Sequence, residues 1–220
     1  MSNSPAINHR NYPDQEGTAS DLLDGFERRK VPQDYLLATP EQAEDYVFMV
    51  KSGRLRVYLQ GESRTLTLSF LEPGDIYTTH TPTYVESSEE SEILMMSTAK
   101  FGQKLACDPS ATPHMMRVLG RLLSNAVNLV EDLAFREVPA RLARFLIGLA
   151  ERRGKATEPG LLVRLDLSTE EIASLLGSTR QTVSSLINQW EREGVLLRQG
   201  RQSLVIRSIE SLKKVLVSAG

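Results

Sequence analysis

The sequence is poor in residues that build reactive centres. Cys107 is the single cysteine among 220 residues. One thiol closes no intrachain disulfide and cannot supply the several thiolates of an iron–sulfur cluster. The histidines are scattered at His9, His80 and His114, with no metal-ligand spacing or Ser/His/Asp signature around them, which argues against an enzyme. No apolar run approaches the roughly 18 residues of a membrane-spanning helix. Residues 1–20 are polar, with Pro and Gly, unlike a signal peptide. These absences predict a cytoplasmic protein. Net charge is also small, at −2, but it is unevenly spread. From Arg136 onward 14 Lys and Arg face 9 Asp and Glu, whereas before it 12 face 19. A basic C-terminal part behind an acidic N-terminal part suits a DNA-binding module attached to a sensing module.

The most informative stretch runs from Leu167 to Leu196, LSTEEIASLLGSTRQTVSSLINQWEREGVL. Ser168 with Glu171 three residues on has the form of a capping box, which predicts a helix beginning at Thr169. Ile172, Leu175 and Leu176 form one apolar stripe, and Gly177 ends the helix where a left-handed residue is needed. Ser178 opens the next helix, with Gln181 completing a second capping box. Val183, Leu186, Ile187 and Trp190 line its buried side, leaving Arg180, Gln181, Ser184, Ser185 and Asn188 toward solvent. Arg can grip guanine, and Gln adenine, with two bonds each. A second helix presenting such groups from its first turn is how a helix-turn-helix reads the major groove. The competing interpretation is an ordinary helix pair with a polar outer face. It leaves unexplained why groups suited to base edges gather on the free side.

Upstream, residues 1–20 read as a flexible arm and Asp21 to Arg29 as a possible short helix. Segments 47–53, 54–61, 65–75 and 91–97 alternate like short strands ended by Gly or Pro–Gly turns. Such spacing predicts an antiparallel barrel or jelly roll over residues 21–112. Lys100 to Cys107 reads as a short helix. A long helix follows over 113–136, with Met116, Leu119, Leu123, Ala126, Val130 and Leu133 in alternating steps of three and four. That seam predicts a two-stranded coiled coil and a homodimer. Leu122, Val127 and Ala134 widen the stripe, which predicts packing on the chain's own barrel too. Pro139 opens another helix, so a hinge is expected near Glu137 to Pro139 and a winged helix-turn-helix over 137–220. Residues 195–206 read as its wing, a hairpin turning at Gln199–Gly200. Arg198 and Arg201 on it are placed to meet phosphates. The expected class is therefore α+β.

This layout, with Val50-Lys-Ser-Gly53, Glu72-Pro-Gly-Asp75 and GSTRQTVS at 177–184, resembles the CRP/FNR family of bacterial transcription regulators. The resemblance covers nearly the whole chain. It implies DNA contacts from Ser178, Thr179, Arg180, Gln181 and Ser184, a palindromic operator, contact with RNA polymerase, and an effector held in the barrel. Between Arg64 and Lys100 there is no Lys or Arg. A cyclic nucleotide would lack its usual phosphate partner there. The family's nucleotide-binding Gly-Glu…Arg-Ser pattern is missing too.

Residues 55–81 and 119–135 are similar to the haem-containing, carbon monoxide (CO)-sensing branch of the family. That likeness implies haem b with His80 as an axial ligand and the Ser2 amine of the partner chain opposite, with His9 as a rival. It also implies a distal pocket at Leu119, Gly120 and Leu123, and activation by CO. The branch's cysteine ligand is replaced by Thr78, and Thr is no substitute for a thiolate. Nitric oxide at haem, or a non-nucleotide organic effector on the same fold, stays open as an alternative.

Overall fold

The computed structural model describes residues 24–42, 45–107, 112–200 and 202–218. Within them the chain forms two compact units, one ending at Ala126 and the other running from Val127.

The first unit is built from eight strands: β1 (Glu27–Val31), β2 (Leu36–Ala38), β3 (Tyr46–Ser52), β4 (Leu55–Gln60), β5 (Thr65–Leu71), β6 (Ile76–Thr78), β7 (Tyr84–Ser87) and β8 (Ser91–Ser97). They pair antiparallel into two four-stranded sheets, ordered β1-β8-β3-β6 and β2-β7-β4-β5. The result is a jelly-roll-like sandwich, not a closed barrel. Alternation explains it, because inward residues of both sheets meet in one core. Phe48, Val50 and Ile93 of the first sheet pack there with Leu55, Val57 and Val85 of the second. Each such fully buried side chain contributes about 1.5–3 kcal/mol.

Arg28 and Arg29, expected in a short helix, belong to β1. Pairing with β8 overrides the local pattern there. The helices α1 (Thr98–Cys107) and α2 (Thr112–Phe135) follow. On α2, Met116, Leu123 and Val130 are about two-thirds exposed, at 63%, 65% and 65%. Val127 and Ala134, expected to pack on the chain's own barrel, are exposed as well. The apolar stripe of α2 therefore has no cover from within the described chain at these positions.

The second unit contains the end of α2, then α3 (Val138–Arg153), β9 (Lys155–Thr157), β10 (Gly160–Arg164), α4 (Thr169–Leu175), α5 (Arg180–Arg192), β11 (Leu196–Arg198), β12 (Ser203–Ile206) and α6 (Ile209–Ser218). Pro139 sits in the first turn of α3, where its missing N–H costs nothing. Leu142, Leu146, Ile172, Val183, Ile187, Trp190, Leu196 and Leu212 form one core beneath a sheet ordered β11-β12-β10-β9. At the expected hinge, Asp132 of α2 accepts from Arg136 at 2.7 Å and from Arg144 of α3 at 2.5 Å, while Glu131 accepts from Arg136 at 2.8 Å. The last turns of α2 are thereby fastened to α3 and pack with the second unit, so the packing boundary lies upstream of residue 137.

Candidate DNA-binding surface and effector site

The two helices α4 and α5 make the turn that the sequence predicts. Ser168 accepts from the Glu171 N–H at 3.2 Å, and the Glu171 carboxylate accepts from the Ser168 N–H at 2.7 Å. Both arms of the capping box are present. Gly177 closes α4 at φ +59°. Its N–H and that of Ser178 donate back to Ser174 and Ala173 at 3.2 and 2.9 Å, the paired bonds of a Schellman end.

The cap of α5 differs from expectation. Thr179, not Ser178, is the N-cap, and it accepts from the Thr182 N–H at 3.1 Å. No second capping box forms, because the residue three after Thr179 is Thr182 and carries no carboxylate or amide. The shift by one residue leaves Gln181 outside the cap. Arg180, Gln181, Ser185 and Asn188 are exposed and Ser184 is half-buried, while Val183, Ile187 and Trp190 hold the opposite face in the core.

The wing turns at Gly200, φ +81°, with β11 and β12 antiparallel. Arg198 is engaged by neighbours within the protein. Its guanidinium donates to Asn188 Oδ1 at 2.6 Å, and its backbone N–H donates to Glu191 Oε1 at 3.1 Å. Position 201 lies outside the described residues. The sequence singled out Asn188 only as a surface position, and a pairing across ten residues has no local signature.

In the first unit, His80 is exposed in the connection between β6 and β7, with Nδ1 at 2.8 Å from the Thr78 hydroxyl. A hydroxyl cluster pins that connection: Tyr77 Oη meets Thr81 at 2.9 Å and Thr83 at 3.1 Å, and the two threonines meet at 3.0 Å. Gly120 and Leu123 are exposed on α2, and a methyl group placed on Gly120 would meet no atom of another element within 4 Å. The Leu119 side chain, Ser2 and His9 lie outside what is described.

Residues 140–215 match the Crp-like helix-turn-helix domain family. A CooA double mutant from Carboxydothermus hydrogenoformans is 35% identical, with 91% of each chain covered and a TM-score of 0.82. The chain belongs to the CRP/FNR family. Other members give the range. The reduced, Fe(II) CO-sensing protein from R. rubrum is 35% identical over 90% of this chain and 94% of its own, with a TM-score of 0.51. A CRP-like cAMP-activated global transcriptional regulator from Mycobacterium tuberculosis is 26% identical over 79% of this chain and 81% of its own. As a CRP/FNR member this protein is a DNA-binding transcription regulator, in a family of regulators and not of enzymes.

Proposed function

We propose that this regulator is a homodimer that senses CO through haem held in its N-terminal unit, and that CO activates it for DNA binding. The observation that carries the haem reading is the Thr78–His80 hydrogen bond. A metal-binding imidazole normally ties its second ring nitrogen to a neighbour, which fixes the ring and leaves the other nitrogen for the metal. Here Nδ1 of the exposed His80 is tied to the Thr78 hydroxyl, so Nε2 is the nitrogen that would hold a haem iron. Haem iron, when bound, supplies the centre at which a neutral diatomic gas is held.

The Ser2 amine or His9 would supply the second ligand. Leu119, Gly120 and Leu123 would give the gas an apolar, uncrowded surface. The exposed seam from Met116 to Leu133 is the surface a second copy would cover. Its repacking would tell the DNA heads whether the effector is present. A ligand shifts such an equilibrium only by its differential affinity for the two states. The heads would then present Ser178, Thr179, Arg180, Gln181 and Ser184 to successive major grooves, about 34 Å apart on a palindromic operator. Arg201 would meet phosphate, and promoter-bound dimers would engage RNA polymerase in the cytoplasm.

The first test is the absorption spectrum of the dithionite-reduced protein before and after CO. A Soret band that shifts and sharpens with CO is expected, and His80→Ala should abolish the starting spectrum. A His80→Ala protein with an unchanged spectrum refutes the ligand. The relatives activated by cAMP supply the second reading. The absence of Lys and Arg from residues 65–99 tells against it. Calorimetric titration with cAMP decides between them.

A further inference from the structure

Asn188 lies seven residues after Gln181 and four after Ser184, on the same face of α5. It stands about 12 Å along the helix axis from Arg180. That is roughly the width of the major groove. With the first turn of α5 on the bases, Asn188 comes beside the sugar–phosphate strand that borders the groove. Its Oδ1 accepts from Arg198 Nη2 at 2.6 Å. A guanidinium only donates. The carboxamide oxygen must therefore face Arg198, and the two amide N–H donors must face away, into solvent. Glu191, nearly one turn further, seats the arrangement. Its Oε1 accepts the Arg198 backbone N–H at 3.1 Å, and Oε2 lies 3.8 Å from Arg198 Nε. The wing is thus stapled to the recognition helix by one arginine whose charge is already partly answered by a carboxylate.

We propose that Asn188 is a DNA-backbone contact, presented as a pure donor because Arg198 occupies its oxygen, and that Arg198 is a positioning residue. A phosphate oxygen only accepts, so an amide turned the other way would be repelled. Arg198 then acts through Asn188 and not as a phosphate ligand of its own. The inference rests on the DNA-binding reading of α5.

The test uses the full chain, in the form that selects duplexes from a random-sequence pool. One selected duplex and one mixed-sequence duplex serve as labelled probes. Asn188→Asp keeps a partner for Arg198 and turns the contact into an ion pair, but it removes both donors and faces a carboxylate to the phosphates. Binding to both probes should weaken by roughly tenfold or more, with no fall in the unfolding midpoint. Arg198→Ala should weaken binding several-fold in the wild-type background and barely at all in an Asn188→Ala background. Wild-type affinity in Asn188→Asp, or binding lost together with stability, overturns the contact. An equal effect of Arg198→Ala in both backgrounds overturns the positioning role. A wild-type chain that selects no duplex removes the DNA-binding reading, and this inference with it.

Discussion

Two glycines in left-handed backbone offer a controlled measurement of what the sandwich tolerates. Gly53 and Gly74 have φ of +83° and +92°. Any L residue there carries a conformational penalty of about 1–2 kcal/mol. Their surroundings differ. A Cβ on Gly74 would meet nothing within 4 Å, whereas one on Gly53 would lie 2.6 Å from the Glu90 carbonyl oxygen and 2.7 Å from Ser91 Cα. Those are backbone atoms where β8 begins, Ser91 being held by its pairing with Val31 of β1, and they cannot rotate aside. Forcing such overlap typically costs a further 1–3 kcal/mol, roughly. Gly74→Ala should therefore destabilise by about 1–2 kcal/mol and Gly53→Ala by about 2–5 kcal/mol, a large part of a domain's usual 5–15 kcal/mol. Urea unfolding followed by far-UV circular dichroism reads both units together. Trp190, the single tryptophan, is buried in the other unit's core and reports that unit separately. Equal midpoints for the two variants would refute the close approach at Gly53.

Three further outcomes follow from residues already placed. Ser168→Ala removes one arm of the capping box before α4 and should cost about 0.5–2 kcal/mol in chemical denaturation of the second unit; no loss would mean the box is ornamental. Arg180→Ala should lose roughly 1–3 kcal/mol of discrimination at one base pair per half-site, read from binding to operator variants, and an unchanged preference would exclude it as a reader. The third concerns acid. The hydrogen bond from Arg28 holds the Glu92 carboxyl below its ordinary range, with Lys51 helping and burial opposing. A depressed carboxylate stabilises the fold above its unfolded value, about 4.5, and that contribution disappears as pH falls through the lower folded value. Glu92→Gln should flatten the loss of stability below roughly pH 5 in acid titrations, and identical profiles would refute the pairing.

Local chemistry made the helix-turn-helix legible. The Ser168–Glu171 box, Gly177 and the Val183–Ile187–Trp190 stripe each act within one or two turns, and the structure has them all. The register of the second cap slipped by one because Ser178 and Thr179 are chemically alike. The strands 47–53 and 54–61 were readable from alternation, but β1, β2 and β7 were not, since partners far along the chain define them. In the first unit the sequence singles out His80 without showing how it is held. The Thr78 hydroxyl that orients it was legible only as the absence of a cysteine. The hairpin β9–β10 and helix α6 were missed as well; α6 is stabilised by burying Leu212 in the shared core, not by any local signal.

Asp132, near the end of α2, has a consequence for how ionic strength acts on this protein. Asp132, Arg136 and Arg144 have side chains only 23%, 27% and 20% exposed. Charges so sheltered are screened weakly, whereas contacts to DNA phosphates are competed away steeply by added salt. Raising salt should thus dissolve the grip on DNA while the joint between α2 and α3 stays rigid. A salt titration of DNA binding by this regulator then counts the phosphates neutralised, unclouded by loosening of the joint between α2 and α3.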